Sequence, residues 1–107
     1  MPNPRLVLVT ASSIDEARRI AQAVLEARLA ACVNLVPGLE SHYRWQGRLE
    51  TSSEVLLLIK SSAENFPQLR DLVARQHSYE CPEIVALEPR EIAPSYRAWW
   101  EENLGPA

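Results

Sequence analysis

Residues 5–11, RLVLVTA, are mostly apolar on both sides of a period of two. That is the pattern of a strand in the middle of a sheet. Ser13-Ile14-Asp15-Glu16 follows as a capping box, in which Ser13 caps a helix and Glu16 bonds back to it. Ile14, Ala17, Ala21, Val24 and Leu25 then recur at helical spacing, while Arg18, Arg19, Gln22 and Glu26 fill the other face. The spacing predicts a helix over 14–29, about 24 Å long. ACVNLV (31–36) is a second strand, interrupted by Pro37-Gly38. Beyond the break Leu39, Ser41, Tyr43 and Trp45 share one face, and Glu40, His42, Arg44 and Gln46 the other. Gln46-Gly47 suits a tight turn. The chain returns through RLETSSEVLLLIKS (48–61), apolar on both faces from Val55 to Ile59.

A second helix is predicted over 63–76. Its start has two readings: Ser61 and Glu64 form another capping box, whereas Pro67 belongs in a first turn. EIVALE (83–88) is a fourth strand. Pro94-Ser95 opens a last short helix that Gly105 closes. The order β-α-β-β-α-β-α, with two split βαβ units and a hairpin, predicts an α+β ferredoxin-like sandwich with its helices on one face of the sheet.

The hairpin is long for its domain. Residues 31–46 would span about 50 Å extended, against a radius of gyration of about 13 Å for 100 residues. Its tip carries Leu39, Tyr43 and Trp45 on one face, and an isolated ribbon is marginal in water. Exposed edges of this kind are usually closed by symmetric association, which predicts a homo-oligomer built through the hairpin, with Tyr43 and Trp45 at the interface; the plain alternative is a tip folded back onto its own helices.

Composition narrows the class. A chain of 107 residues suits a single domain over 1–107, able to bury roughly 65% of its unfolded surface. A formal net charge of -3, with no basic run, argues against nucleic acid. No apolar window is long enough for a membrane span, and the N-terminus lacks the pattern of a signal peptide. Two cysteines make no disulfide framework, so a reduced cytoplasm with free thiols is expected.

Candidate chemistry gathers in RQHSYECPEI (75–84), which holds one of two histidines and one of two cysteines. Copper and zinc favour imidazole nitrogen and thiolate sulfur. His77 and Cys81 stand four apart, but Pro82 and the strand behind it disfavour a helix there. Cys32 enters one sheet edge and Cys81 the opposite edge, about 14 Å away across three strand spacings. A metal site using such residues would therefore form between subunits. The plain alternative is that both cysteines are small buried hydrophobes. His77 is expected on an exposed loop. Tyr79, Glu80 and Glu83 can join Lys60 and His77 in a polar cleft. No nucleophile motif occurs, and no glycine-rich phosphate cradle, so a binding protein is expected rather than an enzyme.

AACVNLVPGLESHYRWQGRLE (30–50), EVLLLIKS (54–61), HSYECPEI (77–84) and SYRAWW (95–100) together resemble the CutA divalent-cation-tolerance family. The resemblance covers about residues 5–104. It implies a compact homotrimer joined through long hairpins, a link to copper or another divalent cation, and an inter-subunit pocket near Lys60, Tyr79, Glu80 and Glu83. His77 and Cys32 are the metal-ligand candidates that it leaves. The family's usual proline after the loop histidine is Ser78 here, and two proposed ligand positions hold Val9 and Gln76. A second reading is a trimeric regulator or scaffold, analogous in fold to P-II signalling proteins, that binds a small anion or a protein partner.

Overall fold

The structure, a computed structural model, describes residues 2–105. Seven elements follow one another: β1 (Pro4–Ala11), α1 (Ile14–Glu26), β2 (Cys32–Trp45), β3 (Arg48–Ser62), α2 (Phe66–Gln76), β4 (Ile84–Leu87) and α3 (Pro94–Glu102). The sheet runs in the order β2-β3-β1-β4, with every neighbouring pair antiparallel. This is the predicted ferredoxin-like arrangement, with β2 and β4 at opposite edges.

Strand parity decides the core. Val7, Val9 and Ala11 of β1 and Val55, Leu57 and Ile59 of β3 point to one face. There they pack against Ala17, Ile20 and Val24 of α1 and Leu69 and Val73 of α2, all buried. The alternate residues Leu6, Leu8, Leu56 and Leu58 lie on the other face and stay only half-buried. Val36, Val85 and Leu87 continue that face and are exposed. The central strands are thus apolar on both sides, but this chain covers only one of them.

Element ends differ from the pattern for local reasons. α1 stops at Glu26 rather than near 29 because Arg28 takes a left-handed conformation, φ 59°. Its N–H donates to Leu25 O, and Leu29 N–H donates to Val24 O. This is a Schellman closure without the customary glycine, so the sequence carries no stop signal. α2 starts at Phe66, with Pro67 in its first turn. The second capping box is not used: Ser61 Oγ donates to Leu29 O, and Glu64 accepts from Asn3. β2 is a single strand whose register shifts between Val36 and Leu39, where Gly38 has φ 81°. Gln46 and Gly47 both have positive φ, 50° and 81°, as a two-residue turn of matching twist requires.

The β2–β3 ribbon continues past the end of β1, whose last pair is Ala11 with Val55. The molecule consequently measures 44 × 26 × 22 Å, with a radius of gyration of 14.2 Å. At the opposite end α3 closes the molecule: Trp100 is buried and its Nε1–H donates to Ser61 O at 2.8 Å. Trp99 remains exposed and stacks on Tyr96.

Candidate functional site

Where the ribbon leaves the sheet, the segment between α2 and β4 turns towards it. A cleft of about 620 Å³ opens between them. One wall is the ribbon, with Ser41, His42, Tyr43 and Trp45; the other is the segment 78–83, with Tyr79, Glu80, Cys81 and Glu83. Thr10 and Glu54 form the floor. The register explains the first wall. Leu39 pairs with Glu54, Ser41 with Ser52 and Tyr43 with Glu50, so these residues share the sheet face left uncovered by helices. The Tyr43 hydroxyl lies 3.1 Å from Ser52 Oγ.

Segment 77–83 is held by a buried carboxylate. Glu16, 2% exposed, accepts from Ser12 N–H and Ser12 Oγ at 2.9 Å each through Oε1. Its Oε2 accepts from Ser78 N–H at 2.7 Å. Burial acts to raise the Glu16 carboxyl, but the hydrogen bonds from Ser78 and Ser12 more than offset it, lowering it to about 2. Ser13 caps α1 as predicted, its Oγ accepting from Glu16 N–H. The Glu16 side chain, however, reaches past Ser13 to Ser12 and across to Ser78. The cap motif revealed half of this role; the contact spanning 62 residues had no signal in the sequence.

His77 is not the exposed loop residue expected. Its side chain is fully buried, and Nε2–H donates to Thr10 O at 2.6 Å. Nδ1 accepts from Tyr79 N–H at 3.0 Å. Both ring nitrogens are thus engaged within the chain, and the ring stands 4.0 Å from Glu16 Oε2. Tyr79 packs on the imidazole, ring centroids 4.7 Å apart, and its hydroxyl donates to Glu54 Oε2 at 2.7 Å. Burial, then the hydrogen bond to Glu54 and that residue's charge, push the Tyr79 hydroxyl well above the usual phenol range. Tyr79 therefore stays a donor and Glu54 its acceptor.

The structure brings Tyr79, Glu80 and Glu83 together, and adds Glu54, Tyr43 and Trp45 to them. It does not bring Lys60. Lys60 pairs with Cys32 and Leu6 at the far end of the sheet, where Nζ donates to Asn34 Oδ1 and lies 3.9 Å from Cys32 Sγ. Cys32 and His77 are separated along the sheet by the run from Leu6 to Thr10, about 13 Å at strand rise. Neither cysteine is a buried hydrophobe: Cys32 is half-buried, Cys81 exposed, and both are free. Among the described residues no three His, Cys, Asp or Glu side chains converge into a set able to hold a metal ion. One chain alone does not fit a bound divalent metal. It provides an acidic cleft with three carboxylates and one histidine, His42, and, among its lining residues, no lysine or arginine.

Comparison with known proteins agrees with this architecture. Residues 5–103 match the family model of the CutA1 divalent ion tolerance protein. The chain is 50% identical over 100 residues to the divalent-cation tolerance protein CutA of Thermus thermophilus, covering 94% of this chain and 97% of that one. It is 44% identical over 91 residues to protein CutA of Mus musculus, covering 85% of this chain and about half, 51%, of the mouse protein. The solved structure of a divalent cation tolerance protein (Cut A1) from Thermus thermophilus superposes with a TM-score of 0.92 at 49% identity, over 95% of this chain and 99% of that one. With family model, sequence identity and sheet topology in agreement, the chain belongs to the CutA1 divalent ion tolerance protein family.

Proposed function

We propose that this chain is a non-enzymatic, homotrimeric divalent-cation binder in metal-ion tolerance, that copper is its ion, and that it works in the cytoplasm. One observation carries the reading: the acid-lined cleft opens onto the same sheet face whose leucines and valines no helix covers. Apolar residues on that face need a partner surface, and a second copy brought there would add donors to a cleft that lacks enough of its own. Glu80, Cys81 and Glu83, on the wall that turns towards the ribbon, are the donors we assign. Thiolate and carboxylate both suit divalent first-row metals. His77 serves as a positioning residue for this wall, since its nitrogens hold Thr10 and Tyr79. Cys32 lies beside the Lys60 ammonium, an unfavourable neighbour for a cation. The alternative of a small-anion regulator would need a free cationic group at the cleft, where carboxylates outnumber one histidine, His42, whose ring nitrogens already lie against Glu40 and Thr51.

Sedimentation equilibrium at micromolar concentration and copper titration by calorimetry test the proposal. The expected result is a trimer whose copper affinity falls at least tenfold, the least loss expected when even an outer-shell partner of a metal is removed, in Cys81→Ser with Glu83→Gln, which removes two of the three assigned donors. A monomer, or equal affinity in wild type and variant, overturns it.

A further inference from the structure

Two backbone groups fix the state of the His77 ring. Thr10 O can only accept, so Nε2 carries a proton. Tyr79 N–H can only donate, so Nδ1 turns its lone pair towards it, at 3.0 Å. The imidazole is therefore neutral, and Nδ1 is the one place where a second proton can go. Once there, that proton faces the Tyr79 N–H, donor against donor. Among the described residues Glu16 is the one carboxylate within 4.0 Å of a ring nitrogen, its Oε2 lying at that distance from Nδ1. The same oxygen accepts from Ser78 N–H at 2.7 Å. With its carboxyl lowered to about 2, Glu16 keeps its charge wherever an imidazole takes up a proton. Burial alone opposes a charge on the ring, and this carboxylate supplies the partner that a buried charge requires. Tyr79 is the other titratable group against the ring, and its hydroxyl passes on to Glu54 of β3. β1 brings the Thr10 carbonyl, and Arg75, two residues earlier on α2, is exposed.

We infer that His77 is a proton-operated latch on segment 78–83. With the ring neutral, two backbone N–H groups of the segment are held: Tyr79 by Nδ1 and Ser78 by Glu16 Oε2. Protonation turns Nδ1 from acceptor to donor. The Tyr79 N–H loses its partner, and the imidazolium is drawn to Glu16 Oε2, where it competes with the Ser78 N–H. One proton thus undoes both anchors and frees the cleft wall that carries Glu80, Cys81 and Glu83. The side chains of His77 and Glu16 are 0% and 3% exposed within one chain. A second copy laid on the sheet face therefore leaves their contacts in place. The latch acts on the wall whatever the cleft binds, so it does not rest on copper.

The test is an NMR titration of the histidine ring nitrogens in the full chain from about pH 8 to 5, the range in which imidazoles change charge. The His77 signals are assigned with His77→Asn. The His77 ring should pass from its Nε2–H form to the cation. At the same midpoint the Ser78 and Tyr79 amides should lose about tenfold of their protection from exchange, the worth of one hydrogen bond. The indole N–H of buried Trp100, bonded to Ser61 O, should stay in place, which separates release of the segment from unfolding. Asparagine at 77 can accept the N–H two residues on through its side-chain oxygen but takes up no proton. In His77→Asn the two amides should therefore ignore pH. In Glu16→Gln, protonation of His77 should need about tenfold more acid, for want of the opposite charge. A ring that stays neutral throughout, a ring that titrates without the amides, a Trp100 signal that moves with them, or a variant that responds like wild type would overturn the inference. The wild-type titration decides the matter by itself if a variant fails to fold.

Discussion

Glutamine at position 16 keeps the shape of the glutamate but removes its charge and half its acceptor capacity. The native carboxylate takes three donors, Ser12 N–H, Ser12 Oγ and Ser78 N–H, at a site 2% exposed. A carboxamide has one oxygen and must turn its NH₂ towards at least one of those donors. That leaves a buried N–H facing another donor, a cost of about 1–3 kcal/mol. The lowered carboxyl gives an independent figure. A fall from 4.5 to about 2 on folding corresponds to about 3 kcal/mol of stability when the group is ionised. The sign follows from the direction. Because the folded value lies below the unfolded one, this stability is fully present above about pH 4.5 and is lost as pH falls towards 2. Glu16→Gln should therefore be about 3 kcal/mol less stable than wild type at pH 7, and the gap should close between pH 4.5 and 2. Urea unfolding across that range measures it, with protein concentration held fixed because an associating chain gains stability with concentration. Glu64, also lowered by its hydrogen bonds to Asn3, contributes equally to both proteins and cancels in the difference. A variant within about 0.5 kcal/mol of wild type at pH 7, the usual range of inconsequential substitutions, would refute the reasoning. So would one that keeps the wild-type acid slope.

Two further predictions concern the wall of the cleft. Ser78→Pro restores the residue usual in the family and suits the extended backbone of His77, φ -88° and ψ 143°. It also deletes the N–H that Glu16 accepts, so urea unfolding should show a net loss of about 1 kcal/mol at pH 7, after the entropic gain of proline is counted. A gain in stability would show that the Glu16–Ser78 contact contributes little. Tyr79→Phe leaves Glu54 without a donor in a buried position. It should cost about 2 kcal/mol and speed amide exchange over residues 77–83; unchanged exchange would mean that Tyr79 does not anchor this segment.

The fold was largely legible along the chain because periodicity reports which face of an element is apolar. The two-sided apolar pattern of 5–11 and 55–59, the capping of α1 by Ser13, and the Gln46-Gly47 turn are local properties. Each is written in residues a few positions apart, and each is found in the structure. The end of α1 was not legible, because Arg28 adopts a left-handed conformation that its side chain does not favour and tertiary contact sustains: Gly105 N–H donates to Arg28 O.

The site was legible only in its ingredients. Tyr79, Glu80 and Glu83 stand out in the sequence and meet in the cleft, whereas Lys60, expected with them in a cleft between subunits, stands within one chain at the other end of the sheet. Glu54 and Glu16 gained their roles from partners 25 and 62 residues away. A histidine beside two carboxylates in a polar loop resembles a metal ligand in one dimension. Folding places His77 over the end of β1, where a backbone carbonyl and a backbone N–H claim both nitrogens before any ligand could. By itself the sequence determined which segments become strands and helices and which faces must be covered, because both follow from local spacing and solvent avoidance. Only the tertiary structure decided which polar groups meet, because hydrogen bonds between distant segments depend on register and strand order, and neither is written in any one segment.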